Sequence, residues 1–241
     1  MKTVVTIPTY NESANIGALI DEIERQGIPG LHVLVVDDQS PDGTGAIVLQ
    51  KARTRPWVKL LSRMGPRGRG SAGIDGFLAA LADGADAVFE MDADFSHHPR
   101  YLPRMVELLE LGYADVVIGS RFVEGGQDAD RGLHRRVVTQ LAGLYVRAIL
   151  GVAVHDVSSG FRGFTRRTLE AVRLDTCVST GPSIVLEVLS RVCAGGARIV
   201  EFPIVFEDRV RGESTLTLRI LLETLRLVWK FRTPPVAGAD R

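Results

Sequence analysis

The chain has two cysteines, Cys177 and Cys193, no net charge and no long apolar run. Two thiols make neither a zinc-ligand set nor a disulfide framework, which fits a reducing compartment and leaves both as core residues. With 29 basic and 29 acidic residues among 241, no overall charge draws the protein to nucleic acid, so any anion must be held by a local cluster. No apolar stretch is long enough to cross a bilayer. The first residues read as a strand and lack the basic and then apolar regions of a signal peptide, so the expected location is cytoplasmic. Two nucleotide signatures are also missing. There is no G-x-x-x-x-G-K loop and no G-x-G-x-x-G after the first strand, which argues against a P-loop enzyme and a dehydrogenase. His97, His98, His134 and His155 show no ligand spacing and read as structural or surface groups.

What is present is a hydrophobic content of 45%, enough for one sizeable core in one domain. Thr3 to Pro8 is short, β-branched and strand-like. A helical pattern follows, with Ile16, Leu19, Ile20 and Ile23 on one face and Gly27 and Pro29 to stop it. His32 to Val36 is a second strand. Strand, helix and strand make a βαβ unit, whose right-handed crossover implies parallel pairing. The turn Ser40-Pro41-Asp42-Gly43-Thr44 can cap a helix through Ile47, Val48 and Lys51. Strands are then expected at Trp57 to Leu61, Ala87 to Phe89 and Asp115 to Gly119. Between them lie helices through Ile74, Phe77, Leu78 and Leu81, and through Tyr101, Leu102, Met105, Val106, Leu108 and Leu109. The alternation predicts an α/β fold with a mostly parallel central sheet and helices on both faces. Ligands in such sheets bind beyond the strands' carboxyl ends.

Those ends carry charge. The second strand runs into Asp37-Asp38, the fourth into Met91-Asp92-Ala93-Asp94-Phe95-Ser96, and the next into Ser120-Arg121. Residues two apart in a strand point the same way, so Asp92 and Asp94 can converge. Their mutual repulsion is relieved if a cation sits between them, and hard oxygens on an open site suit magnesium or manganese holding a diphosphate. An acidic loop capping the next helix is the alternative. The basic loop Arg63-Met64-Gly65-Pro66-Arg67-Gly68-Arg69-Gly70 opens a helix at Ser71. It reads either as an anion site built from amides and arginines or as a flexible surface loop.

Further along, Gly125 to Arg136 is polar and glycine-rich and reads as a mobile loop. A helix with Val137, Leu141, Leu144, Tyr145 and Ile149 follows. Glu187 falls among the apolar residues of a helix over 181–189, where a buried acid needs a partner. A last helix over 216–231 carries Arg219, Glu223, Arg226 and Lys230 on one stripe. Its broad apolar remainder includes Leu221, Leu225, Val228 and Trp229, and suits either packing on the domain or lying on a membrane surface. Residues 233–241 read as a disordered tail.

Taken in order, Val5-Thr6-Ile7-Pro8-Thr9-Tyr10-Asn11-Glu12, Val35-Val36-Asp37-Asp38, Met91 to His97, Ile118-Gly119-Ser120-Arg121-Phe122, Val157-Ser158-Ser159-Gly160-Phe161-Arg162 and Phe206 to Ser214 resemble the motifs of family 2 glycosyltransferases. Within that family they look most like polyprenyl- or dolichyl-phosphate mannose synthases. The resemblance spans nearly the whole chain and implies a single GT-A catalytic domain over 1–232. It places Pro8, Tyr10, Glu12, Val36 and Asp38 at the base and ribose, and Asp92, Ala93 and Asp94 at the diphosphate. Asp92, Asp94 and Ser96 fall at metal positions for Mg2+ or Mn2+. Arg121 and Arg211 match phosphate-facing arginines, and with the two aspartates they form the expected catalytic set. Arg135 or Arg136 falls where relatives bind the acceptor phosphate. Pro182, Val185 and Thr215 depart from the family's pattern, as do Arg69 and Gly73, where relatives tend to have leucine and tyrosine.

The implied reaction is inverting transfer of a hexose, mannose favoured, from GDP-mannose to a polyprenyl or dolichyl phosphate, with the protein peripheral on the cytoplasmic face of the membrane. A phosphate acceptor is already an anion at neutral pH and needs no general base, whereas a hydroxyl acceptor needs one. The family's hydroxyl-glycosylating members usually carry a Q-x-x-R-W motif and membrane spans, and this chain has neither. Two alternatives stay open: transfer from UDP-glucose to the same lipid, and a nucleotide-sugar-binding protein without turnover.

Overall fold

The computed structural model describes residues 1–129, 132–207 and 226–232, with only the backbone of 133–135. Asp130 and Arg131, the segment 208–225 with Arg211, and the tail 233–241 lie outside the described residues, and so does most of the helix expected over 216–231.

The strands are β1 (Thr3–Thr9), β2 (Leu31–Asp37), β3 (Val58–Ser62), β4 (Ala87–Glu90), β5 (Val116–Ser120), β6 (Gln127–Asp128), β7 (Arg162–Thr165), β8 (Ile199–Pro203) and β9 (Val205–Phe206). The helices are α1 (Ile16–Arg25), α2 (Thr44–Ala52), α3 (Arg69–Ala82), α4 (Leu102–Glu110), α5 (Leu133–Leu150), α6 (Arg166–Ala171) and α7 (Ile184–Ala194). Seven strands form one sheet in the order β3-β2-β1-β4-β7-β5-β8. β1 pairs in parallel with β2 and β4, β2 with β3, and β5 with β8, while β7 runs antiparallel between β4 and β5. The sheet is therefore mostly parallel, as the βαβ pattern predicts.

The period of two in the strands builds a core on each face. Val5, Ile7, Val33, Val35 and Phe89 meet Ile16, Leu19, Ile20 and Ile23 of α1 and Leu102 and Met105 of α4. Their neighbours Val4, Leu34, Val36 and Val88 meet Phe77 and Ala80 of α3 and Ile184, Val188 and Leu189 of α7. Each such side chain contributes about 1.5–3 kcal/mol by leaving water. With both faces covered, the strand ends and their loops are the part of the sheet left to meet a ligand.

Four strands, β6 to β9, differ from the sequence expectation. β7 and β8 carry no clear strand pattern: β7 holds Gly163 beside Phe164, and β8 contains Pro203, tolerated because β8 lies at the sheet edge. Within the loop expected over 125–136, Gln127–Asp128 pairs in parallel with Val205–Phe206, a contact between distant segments with no local signal. At the C-terminal end, Val228 and Phe231 are buried in the α7 side of the core. Ser190 Oγ donates to the Phe231 carbonyl at 2.6 Å. For this described part of the last helix, packing on the domain prevails over a membrane role.

Candidate active site

The carboxyl ends of β1, β2 and β4 open on a single cleft of about 500 Å³, lined by Pro8, Tyr10, Glu12, Asp38, Asp92, Ala93 and Asp94 together with Arg67 and Arg69 of the glycine-rich loop. Asn11, Gln39 and Phe95, which follow these three strands, have φ of 60°, 56° and 65°. A left-handed backbone costs a non-glycine residue about 1 kcal/mol or more, so strain is concentrated where the strands turn toward the cleft.

Local hydrogen bonds explain which acids face the cleft. Asp37 is spent on the loops, accepting from Thr9 Oγ1 at 2.9 Å and from the Ser40 amide at 2.9 Å. Asp38 accepts from Arg63 and, at 3.0 Å, from the Gly68 amide. Asp38 therefore ties β2 to the glycine-rich loop while lining the cleft. Arg63 also reaches Asp75 at 2.6 Å, and the Arg67 guanidinium stacks 4.0 Å from the Tyr10 ring centroid. The loop is thus held at three places, and its Arg67 and Arg69 line the cleft. Glu12 holds the start of α1, accepting from Asn15 Nδ2 at 2.9 Å.

At the end of β4 the two aspartates are supported differently. Asp94 is buried and accepts from the Ser96 hydroxyl at 2.6 Å and the Ser96 amide at 3.1 Å. Asp92 is more open, its side chain 30% exposed, and its Oδ1 accepts from Arg69 Nη2 at 2.9 Å. The other arm of Arg69 reaches the buried Glu90 at 3.3 Å. Burial works against the charge on Arg69, but Glu90 and Asp92 outweigh it and hold its pKa above the usual arginine range. Burial pushes the Glu90 carboxyl up, with Arg69 opposing. His97 lies beneath, its Nδ1 3.4 Å from the Asp92 amide and 3.5 Å from Oδ2, and its ring stacks on Phe161 at 5.3 Å. Burial holds the His97 pKa below its ordinary value.

The strand-end arginine is anchored rather than open. Arg121 is buried and grips Asp156, which is fully buried, and its Nη2 also donates to Ser158 Oγ at 2.8 Å. Arg162 is buried among three carbonyls, donating to Ser159 at 2.6 Å, Val157 at 2.6 Å and Val185 at 2.7 Å. Desolvation brings its pKa down to about 10. The stretch 156–162 is therefore a clamp that holds Arg121 from one side and α7 from the other.

The structure brings together Pro8, Tyr10, Glu12, Asp38, Asp92, Ala93 and Asp94. Val36 lies apart, its side chain fully buried in the core. Ser96 and Arg121 are buried and do not line the cleft. Ser96 is placed to orient Asp94. Arg136 stands in the first turn of α5 and donates to the Ala129 carbonyl at 2.6 Å, whereas Arg211 and the Arg135 side chain lie outside the described residues. Asp156 has no place in the sequence expectation, whereas His97, read as a structural or surface group, is buried and packed. A lone acid before Val157 has no spacing that sets it apart from a surface acid. For His97 the only sequence cue was its closeness to Asp92 and Asp94.

Two hard carboxylates in one cleft, one of them partly open, are a donor set for a magnesium-like cation that completes its shell with phosphate oxygens. Among the described residues, no group of three or more His, Cys, Asp and Glu side chains is placed to hold a metal without such a substrate.

The family model for glycosyl transferase family 2 matches residues 4–173. The chain is 39% identical over 225 residues to the undecaprenyl-phosphate mannosyltransferase of Micrococcus luteus, covering 93% of this chain and 91% of that one. It is 38% identical over 217 residues to the polyprenol monophosphomannose synthase of Mycolicibacterium smegmatis, covering 90% and 81%. Among solved structures, glucosyl-3-phosphoglycerate synthase from Mycobacterium tuberculosis, in complex with Mn2+, uridine-diphosphate and phosphoglyceric acid, superposes with a TM-score of 0.69. That match covers 98% of this chain and 80% of that one at 22% identity, a likeness of fold.

Proposed function

We propose a specific reaction for this chain, which belongs to glycosyl transferase family 2: it moves a hexose, mannose first, from GDP-mannose to a polyprenyl phosphate. The observation that carries this reading is the cleft, where the residues expected to meet base, ribose and diphosphate stand on three adjacent strand ends. The choice of mannose and of a lipid phosphate is supported by relatives with those names, which the chain matches over nearly its full length.

The geometry assigns parts to the residues. Tyr10 under Arg67 gives a flat shelf at the mouth of the cleft, suited to a base. Asp38 and Glu12 offer acceptors to a ribose. Asp92 and Asp94 would hold a divalent cation, Mg2+ or Mn2+, together with the diphosphate. Bound there, the cation neutralises the charge that builds on the leaving oxygens. A lipid phosphate enters as a nucleophile that is already an anion at neutral pH, so the reaction needs no general base and His97 is not called on to act as one.

The acceptor side is set by α5. Arg136 sits in its first turn, and beyond it Val137, Val138, Leu141 and Leu144 are all exposed. A cation beside an apolar stripe matches a phosphate on a hydrocarbon chain. We place the protein peripherally on the cytoplasmic face of the membrane. No described helix is long and apolar enough to cross one.

The test is transfer of radiolabel from GDP-mannose or UDP-glucose to undecaprenyl phosphate with Mn2+. Lipid-extractable label from GDP-mannose supports the proposal. Label from UDP-glucose alone would move the donor to the uracil series. Binding of both sugar nucleotides without lipid product would make the chain a binding protein.

A further inference from the structure

We infer that Arg69 is a built-in counter-cation of the diphosphate site: it holds Asp92 before the nucleotide arrives and turns to the diphosphate once a divalent cation takes Asp92. This rests on the reaction proposed above and concerns how the same cleft assembles.

The place for the guanidinium is shaped by two missing side chains. A Cβ at Gly160 would stand 2.7 Å from Arg69 Nη2, and one at Gly73 would stand 2.8 Å from Glu90 Oε1. The main chain beside Arg69 is fixed independently of its side chain. The Gly70 and Ser71 amides donate to the Thr180 carbonyl at 2.9 and 3.3 Å, and the Gly68 amide to Asp38 at 3.0 Å. The side chain can therefore exchange partners without moving α3. Glu90 is nearly buried and Asp92 is partly open, with side chains 5% and 30% exposed. Of its two carboxylate partners, Arg69 keeps the inner one and can release the outer.

The consequence follows from charge. A cation on Asp92 competes with Arg69 for the same carboxylate, and the two positive charges then repel across the cleft. A diphosphate removes both penalties, because its oxygens can meet the cation and the forked donors of Arg69 together. Divalent cation and nucleotide must then bind cooperatively, each raising the other's affinity by the same factor.

The test uses the full chain with Mn2+ and GDP as probes. Free Mn2+ is counted by electron paramagnetic resonance and GDP binding is followed by calorimetry. In the wild type, GDP should tighten Mn2+ binding by roughly tenfold, a typical coupling. In Arg69→Leu, Mn2+ alone should bind more tightly than to the wild type, GDP in the presence of Mn2+ should bind about tenfold more weakly, and the coupling should shrink to what direct contact between cation and diphosphate supplies. Gly160→Ala, which crowds the guanidinium, should move both affinities the same way. Circular dichroism checks the fold, and Arg69→Gln replaces the leucine variant if that one is unfolded. If Mn2+ and GDP affinities fall together in the Arg69 variants, or neither changes, the inference is overturned and Arg69 is only a strut for Glu90 and Asp92. A wild type that binds neither probe would overturn the proposed reaction itself.

Discussion

Arg121 meets Asp156 fork to fork, with Nε donating to Oδ2 and Nη2 to Oδ1, both at 2.8 Å, while the Arg121 amide donates to the same Oδ2 at 3.0 Å. Removing the acid leaves an uncompensated buried charge, so Asp156→Ala should lose about 3–5 kcal/mol in urea unfolding at neutral pH. Burial alone would raise the Asp156 carboxyl, but Arg121 outweighs it and holds the pKa below the usual carboxylate range. For an acid depressed on folding, the stabilisation is complete above the unfolded pKa of about 4 and is lost as pH falls through the lower folded value. Wild-type stability should therefore decline below about pH 4 by a component that Asp156→Asn lacks. Urea midpoints measured across that range check it, and parallel wild-type and Asn curves would refute the pairing.

Glu187 and Arg191 form a second buried pair on α7, at 2.7 Å with side chains 3% and 6% exposed. Glu187 also accepts from the Val178 amide at 3.1 Å and the Ser179 amide at 2.9 Å, holding the segment before the helix. Glu187→Ala should cost about 3–5 kcal/mol, because it strands the arginine and two amides. Glu187→Gln, which keeps an acceptor, should cost less. Thermal unfolding of the two variants gives the order, and equal losses would mean that the charge contributes nothing beyond the acceptor.

The need for a partner at Glu187 was legible from its apolar neighbours, but the partner's identity was not, since a helical i,i+4 arginine is usually solvated. The same division runs through the molecule. β1 to β5 could be read because each is a short apolar run next to a periodic helix. β7 could not, because it is stabilised by neighbours far away in sequence, β4 and β5. At the site, Asp38, Asp92 and Asp94 were legible because charge recurs at successive ends of apolar strands. Arg121 could be read as phosphate-facing only from its motif, and its tie to Asp156 was not legible because it depends on a loop thirty-five positions away. Ser96 was read as a metal ligand from its place in the motif. The structure turns its hydroxyl onto Asp94.

That orientation separates two roles by experiment. Asp94→Ala should abolish Mn2+-dependent transfer and Mn2+ binding while the circular dichroism spectrum stays native. Ser96→Ala removes only one hydrogen bond to Asp94, worth about 1.5–3 kcal/mol to a charged group. It should lower transfer by roughly tenfold to a hundredfold and still bind Mn2+ in the presence of GDP. An Asp94→Ala variant with full activity would refute the metal assignment. A Ser96→Ala variant that binds no Mn2+ would make the serine a ligand.

The lipid side makes the last prediction. Leu141 and Leu144 are 61% and 57% exposed on α5, and they lie three residues apart on one helical stripe with Val137. Exposed leucines on the stripe that follows Arg136 are costly in water, and each would regain about 1.5–3 kcal/mol by entering hydrocarbon. Leu141→Ser with Leu144→Ser should therefore weaken binding to vesicles that contain undecaprenyl phosphate and lower transfer to that acceptor. GDP binding should be unchanged, because neither residue lines the cleft at the ends of β1, β2 and β4. A water-soluble, short-chain polyprenyl phosphate supplies the control. If the double variant loses activity on the vesicle acceptor but keeps it on the soluble one, α5 acts by meeting the membrane. Equal loss on both acceptors would mean that the leucines hold the acceptor arginine in place, and no loss on either would leave the stripe outside the reaction.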